Sequence, residues 1–335
     1  MRVLVDDVGS FPLPSNVSKE AFAKAYPRAL KAYAEGRELA EDEELYESFY
    51  KPVAASLRSK VRSGLDVVNY PQHYDMHRQF LEPILEYQEE PFLIREKYAV
   101  IPELYVVERE AEKYGKLRLK VCVTGPVELH LKTEFGFHIY EEILGNLALS
   151  VNRFLRNSML NTGHVETAVV AIDEPSLGFV DLLNIDEEGL VKALEASARG
   201  IKARVQVHLH TLKAARIPLA AKGIEVITGE FAAAPENMQL LARKTLEEYG
   251  KYLRAGISRT NVDSIIAEHA EHGVRPSPEQ LVEEVKVIRK RYEKISEVFS
   301  DRLAFVGPDC GLGAWPSQRV AQLLLKHTVS AVKFQ

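Results

Sequence analysis

Val205-Gln-Val-His-Leu-His-Thr211 is a β-branched run that ends in two histidines standing two apart. Side chains alternate faces along a strand, so His208 and His210 are expected on one side, where both imidazoles can close on one metal ion. Working outward, the same grammar repeats: a short apolar run, then polar residues. Downstream, Val226-Ile-Thr-Gly-Glu230 ends in an acid and Phe305-Val-Gly-Pro-Asp-Cys310 in a thiol. Upstream, Thr167-Ala-Val-Val-Ala-Ile172 runs into Asp173-Glu-Pro175, and Lys120-Val-Cys-Val-Thr124 into Gly125-Pro126. Asp66-Val-Val-Asn-Tyr70 runs into Pro71-Gln-His-Tyr-Asp-Met76, and Val3-Leu-Val5 into Asp7-Val-Gly-Ser-Phe-Pro12. Tyr252-Leu-Arg-Ala-Gly-Ile257 and Arg302-Leu-Ala-Phe-Val306 complete a set of eight. Two His, one Glu and one Cys at such strand ends form a set of zinc-ligand types.

Helical patterns fill the intervals. A polar, Ala/Glu/Lys-rich stretch covers roughly 18–63. Proline-broken helical material covers roughly 77–116, longer than a crossover needs, and reads as an inserted lid or substrate-side elaboration. Further helices fall near 140–161, 187–199, 235–249 and 277–297, with a closing helix from about Ser317; Ser277-Pro-Glu-Gln280 carries a helix-start pattern. Eight strands alternating with helices predict an α/β fold. Its architecture is a (β/α)8 TIM barrel with an N-terminal helical region and a helical insertion after strand 2. With no linker, repeat or low-complexity tract, residues 1–335 read as a single catalytic domain. Such barrels carry their chemistry on the loops after the strands, which is where the polar motifs fall.

The 335 residues are 46% hydrophobic, enough for a large core, and the formal net charge is −5. With a pI near 6.1, that argues against nucleic-acid binding. Two distant cysteines, Cys122 and Cys310, fit a reducing compartment rather than a disulfide scaffold. The apolar start Met-Arg-Val-Leu-Val is too short for a signal peptide, and no apolar run approaches the ~20 residues that span a bilayer. The expectation is a cytoplasmic protein without membrane or nucleic-acid partners.

Each candidate has a plainer reading. His208 and His210 could be satisfied interior histidines. Taken alone, Glu230 reads better as a capping or ion-pairing carboxylate. Cys310 could be a small buried hydrophobe, although its place between Asp309 and Gly311 favours a site. Cys122, with apolar neighbours, reads as packing. Asp173-Glu-Pro175 could end a strand or hold a substrate ammonium. Gly9-Ser10 could be loop chemistry or offer backbone N–H groups to a carboxylate. His269 and His272, flanked by Glu, read as a solvated helix face. Trp315 could wall a pocket or pack in the core.

Taken in order, Val8-Gly-Ser-Phe-Pro12, Thr124-Gly-Pro126, Ile172-Asp-Glu-Pro175, His-x-His, Glu230 and Pro308-Asp-Cys-Gly-Leu312 resemble the cobalamin-independent methionine synthases. The resemblance is to their C-terminal catalytic half and covers essentially the whole chain; the amino-terminal half of the full-length enzymes has no counterpart. It implies a stand-alone core enzyme of the archaeal or bacterial short type. The implied activity is zinc-dependent transfer of a methyl group to the thiol of L-homocysteine, giving L-methionine.

The resemblance carries the Zn²⁺ ligands onto His208, His210, Glu230 and Cys310, with one departure: the family has Cys where His210 stands. Its His, Cys, Glu and Cys give formal −1 with Zn²⁺, and the present set gives zero. Homocysteine contacts carry onto Val8, Gly9 and Ser10 for the carboxylate and onto Asp173 for the ammonium. A family Glu that also meets the amino group falls at Gln72, which keeps an acceptor without the charge.

The Trp that lines the family's pterin site is replaced by the His130-Leu-Lys132 region. The proton-donor His falls around Thr260-Asn-Val-Asp-Ser264, which puts Asp263 beside Asp173 as a catalytic candidate. A pterin nitrogen must be protonated to leave, whereas a methyl-corrinoid departs as Co(I) without an acid. The expected donor is therefore a methyl-corrinoid, free or protein-bound, or a modified methyl-pterin, with a possible separate donor-binding subunit. A related zinc enzyme acting on another thiol of the coenzyme M type is the alternative. A non-catalytic zinc-binding partner is the alternative from another class.

Overall fold

A computed structural model describes residues 2–333. Among them, eight parallel strands form one sheet: β1 Leu4–Val5, β2 Val68–Asn69, β3 Leu117–Thr124, β4 Val165–Asp173, β5 Arg204–His208, β6 Val226–Glu230, β7 Tyr252–Ser258 and β8 Leu303–Pro308. Each pairs with its neighbours in chain order, and β8 returns to β1 through Leu4–Phe305 and Val5–Val306. The last gap is closed by the parallel bridge Asp6–Val67, where the Asp66 and Val67 N–H groups both donate to Val5 O. The architecture is the expected α/β barrel. All eight expected strands are present, including Tyr252–Ser258.

Strand alternation builds the interior in tiers. Val67, Val169, Val226 and Ala304, on the even strands or beside them, pack together with Phe305 at the base. Above them is a charged tier from the odd strands: Asp6, Lys120, Gln206 and Arg254, all fully or almost fully buried. Asp6 lies 3.0 Å from Lys120 Nζ and 2.7 Å from Arg254 Nε, and it accepts from Gln206 Nε2 at 3.3 Å. Beside it, Lys60 meets Asp7 at 2.7 Å. Two residues further along β5 comes His208. Two further steps along β4 and β6 from Val169 and Val226 come Asp173 and Glu230. The strand period thus delivers all three to the mouth.

The outer layer departs from expectation in two places. The 18–63 stretch is broken: a helix Lys19–Ala34, N-capped by Ser18, is followed by short turns. A π-helical turn Tyr46–Tyr50 then leads into a helix Lys51–Val61. The 77–116 stretch is not a lid over the site. It holds a helix Met76–Glu86, a small antiparallel pair Gln88–Glu90 with Leu93–Ile94, and a helix Pro102–Ala111. The last of these is buried against Lys51–Val61 and Lys19–Ala34 as outer wall, because Leu104, Val106 and Val107 need cover. Only Met76, at the start of the insertion, lines the cavity. Among the described residues no helix is long and apolar enough to cross a membrane.

Candidate metal centre

The loops after the strands enclose a cavity of about 440 Å³ at the mouth of the barrel. Val8, Ser10, Gln72, Asp173, His208, His210 and Cys310 all line it. One ligand atom from each of His208, His210, Glu230 and Cys310 falls within 4.8 Å of the others, the one such cluster among the described residues. Strand β5 ends at His208, so His210 stands in the bend beyond it rather than on the strand. Its ring nevertheless turns back to 5.6 Å from that of His208. His210 Nε2 lies 3.7 Å from both Cys310 Sγ and Glu230 Oε1.

The electrostatics of this cluster are those of a donor set. Burial, then the charge of Asp309, pushes Glu230 up to about 8. Burial, then the charge of Glu230, pushes the Cys310 thiol up to about 12. Burial depresses both histidines, and the neighbouring imidazole depresses His208 further. Low dielectric thus drives all four toward neutral forms, which leaves the imidazoles in the form that ligates, while a cation at their centre would favour carboxylate at Glu230 and thiolate at Cys310. His208 Nε2 is buried without a hydrogen-bond partner, a costly arrangement for a ring nitrogen unless it ligates. Two imidazoles, a carboxylate and a thiol brought this close form a donor set that could hold a metal ion.

The supporting residues were mostly invisible in the sequence. Asn237, fully buried, donates from Nδ2 to His210 O at 3.0 Å and to Glu230 O at 2.5 Å, while its Oδ1 accepts from Leu212 N at 2.9 Å. It ties the backbones of two candidate ligands together, and no local pattern around Pro235-Glu-Asn237 announces partners that are backbone carbonyls elsewhere. Asp309 accepts from the Phe231, Ala232 and Ala233 N–H groups at 2.7–3.1 Å, fixing the loop that follows Glu230.

On the amino-acid side of the cavity, Asp173 is almost fully buried and its Oδ1 has no partner. Burial raises it to about 7 against the pull of Lys120 and Arg254. Its neighbour Glu174 has a structural task, accepting from Val127 N and Glu128 N at 2.9 Å at the start of helix Pro126–Leu131. Gly125 permits this, because a Cβ there would fall 2.2 Å from Glu174 Oε1. Gly9 adopts φ +152, which side chains disfavour, and a Cβ there would meet Cys122 Sγ at 2.7 Å. Ser10 Oγ accepts from Gly313 N at 3.2 Å, tying the first loop to the Cys310 loop.

Other candidates lie elsewhere. Asp263 is exposed in the first turn of helix Val262–Glu271 and does not line the cavity. Trp315 is core, its Nε1 donating to Thr260 O at 3.2 Å. His130 is buried, with Tyr140 N donating to its Nε2 at 3.3 Å, and Lys132 reaches toward Glu128 at 3.9 Å from a half-exposed position.

No family model matches the chain. Over 338 residues, covering 95% of this chain and 88% of the relative, it is 20% identical to a methionine synthase of Sulfurisphaera tokodaii. A methionine synthase of Sulfolobus acidocaldarius is 20% identical over 219 residues, 62% of this chain and 54% of that relative, so this match spans about half the relative's length. In fold the chain is similar to a B12-independent methionine synthase from Shewanella sp. W3-18-1 in complex with selenomethionine, with TM-score 0.58 and 13% identity over 99% of this chain and 97% of that one. A putative vitamin-B12 independent methionine synthase from Listeria monocytogenes gives TM-score 0.60 and 13% identity over the same shares. The class is an α/β barrel with a clustered His, Glu and Cys donor set at its mouth. Within that class, the chain is similar in sequence to methionine synthases and in fold to B12-independent methionine synthases.

Proposed function

We propose that this chain is a zinc-dependent methyltransferase that moves a methyl group to the thiol of L-homocysteine, giving L-methionine, and that residues 1–335 act as one catalytic unit. The observation that carries this is the convergence of His208, His210, Glu230 and Cys310, with His208, His210 and Cys310 lining the cavity that Ser10, Gln72 and Asp173 also line. These four residues would hold the ion, which when bound supplies the positive charge that favours thiolate over thiol at neutral pH. The chain's own contribution is positioning. Asp173 receives the substrate ammonium, and Val8, Gly9 and Ser10 bound the carboxylate end. The Shewanella enzyme of similar fold is in complex with selenomethionine, which supports an amino-acid ligand.

The proposed donor is a methyl-corrinoid, or a modified methyl-pterin, brought free or by a separate subunit. The His130-Leu-Lys132 region in place of the family's Trp supports a donor other than methyl-folate, and the exposed position of Asp263, away from the cavity, supports a leaving group that needs no acid. With purified zinc-loaded protein and homocysteine, methylcobalamin is expected to yield methionine faster than methyl-folate triglutamate. Turnover with the folate alone would overturn the corrinoid preference.

Asp173 gives the reading a pH signature. Its carboxyl, raised to about 7, must be ionised to hold an ammonium, so affinity rises with pH and levels off above that value. L-methionine, which has no thiol proton, is the clean probe. Its binding is expected to strengthen about tenfold from pH 6 to pH 8, the change in ionised fraction of one such group. Asp173→Asn is expected to bind more weakly with a flat profile; a sloping profile in that variant would assign the titration elsewhere.

A further inference from the structure

We propose that Tyr70 and Gln79 set the polarity of the Gln72 amide, so that its carbonyl oxygen rather than its amino group faces the cavity and joins Asp173 in receiving the substrate ammonium. This rests on the homocysteine reading above and adds two positioning residues to it.

A carboxylate offers oxygen whichever way it turns, but an amide has a donor end and an acceptor end of nearly the same shape. At Gln72 one orientation attracts an ammonium and the other repels it. The neighbours decide which is present. Their chain begins at the Cys122 backbone carbonyl, which can only accept. The Tyr70 hydroxyl, 3.0 Å away, donates its proton to that carbonyl and so offers only lone pairs to its other neighbour. That neighbour is Gln79, whose Nε2 donates to Tyr70 Oη at 3.2 Å. With its amino group committed, Gln79 turns its Oε1 to Gln72 and accepts from Gln72 Nε2 at 2.8 Å. Gln72 Oε1 is then the end left over.

The far side of Gln72 agrees. Cys122 Sγ lies 3.7 Å from Gln72 Oε1, within reach of an S–H donor, and burial pushes this thiol up to about 12, so it keeps its proton. A donor therefore meets the oxygen end and an acceptor meets the nitrogen end. Tyr70, Gln79 and Gln72 are 0%, 1% and 5% exposed, so water does not compete for these bonds. Asp173 lines the same cavity as Gln72, and its buried Oδ1 lacks a partner. One charged and one neutral oxygen thus serve a single cation. The arrangement compensates for the amide at Gln72: with no charge there, orientation has to be imposed from behind.

The test measures binding of L-homocysteine and of its des-amino analogue 4-sulfanylbutanoate to the zinc-loaded full chain by calorimetry. Tyr70→Phe and Gln79→Leu are each compared with the parent, alone and combined with Gln72→Glu. Each is expected to weaken homocysteine about fivefold to tenfold, as for partial loss of one charge-assisted acceptor, and to leave the analogue within about twofold. In the Gln72→Glu background both effects are expected to vanish, because a carboxylate cannot be misoriented. Equal weakening of both ligands, the same loss in the Gln72→Glu background, or unchanged homocysteine affinity in both variants would overturn the proposal. Circular dichroism and zinc content check folding, and the two substitutions break different links, so one folded variant suffices. A parent that fails to bind homocysteine would sink the function reading and this inference with it. A parent that prefers homocysteine to the analogue, with insensitive variants, would sink the inference alone.

Discussion

A chain carrying Cys310→Ser is expected to hold zinc more than about 100-fold more weakly than the parent, beyond the usual cost of altering a residue behind a metal ligand. Serine keeps the size of the side chain, but its hydroxyl stays protonated where a thiol becomes thiolate on a metal. The remaining His208, His210 and Glu230 still converge, so some affinity persists, while the anionic sulfur that balances the ion is gone. Cys122→Ser provides the control. That thiol is fully buried and faces Tyr70 and Gln72 rather than the cluster, so its replacement should leave metal content unchanged. Metal analysis after dialysis reads both. Full zinc in Cys310→Ser would remove this residue from the ligand set.

The second large effect lies below the site. Asp6→Ala is expected to lower the unfolding free energy by about 3–5 kcal/mol, the range for removing one partner from a buried charge network. Asp6 accepts from Lys120, Arg254 and Gln206, and its loss leaves two cations facing each other in the barrel interior. Burial already depresses Lys120, and the Asp6 carboxylate is the main force holding its proton on. Asp6→Asn, which keeps one acceptor, is expected to cost less. Urea denaturation of the metal-free protein isolates this effect from ligand binding, and a loss under about 1 kcal/mol would show that water or rearrangement satisfies the cations.

These two predictions draw on parts of the molecule that the sequence revealed unequally. The strands were legible because each is a compact β-branched run with a polar end. The cluster was legible because the strand period carries His208, Glu230 and Asp173 to one mouth. His210 was placed with the right company for an incomplete reason: it reaches the cluster from a bend, not from the strand face. The tier around Asp6 was not legible, since Lys120 and Arg254 find their partner 114 and 248 positions away and read locally as ordinary strand residues. Asn237 stayed hidden for the same reason. The pair Gln88–Glu90 with Leu93–Ile94 was missed because all three residues of its first strand are exposed and two are acidic, with no alternation to mark it. The wall formed by Pro102–Ala111 was read as part of an inserted lid or substrate-side elaboration because proline breaks signal where helices stop, not what they pack against.

On the proposed function, the four-residue centre and the Asp173 corner serve one substrate, an amino-acid thiol. The most direct measurement is methyl transfer by the zinc-loaded chain from methylcobalamin to a panel of thiols, with products identified by mass spectrometry. L-methionine is expected from L-homocysteine, with little product from 4-sulfanylbutanoate or 2-sulfanylethanesulfonate and none after chelation of the metal. Equal transfer to the thiols that lack an ammonium group, or methionine formed at full rate by the metal-free chain, would contradict it.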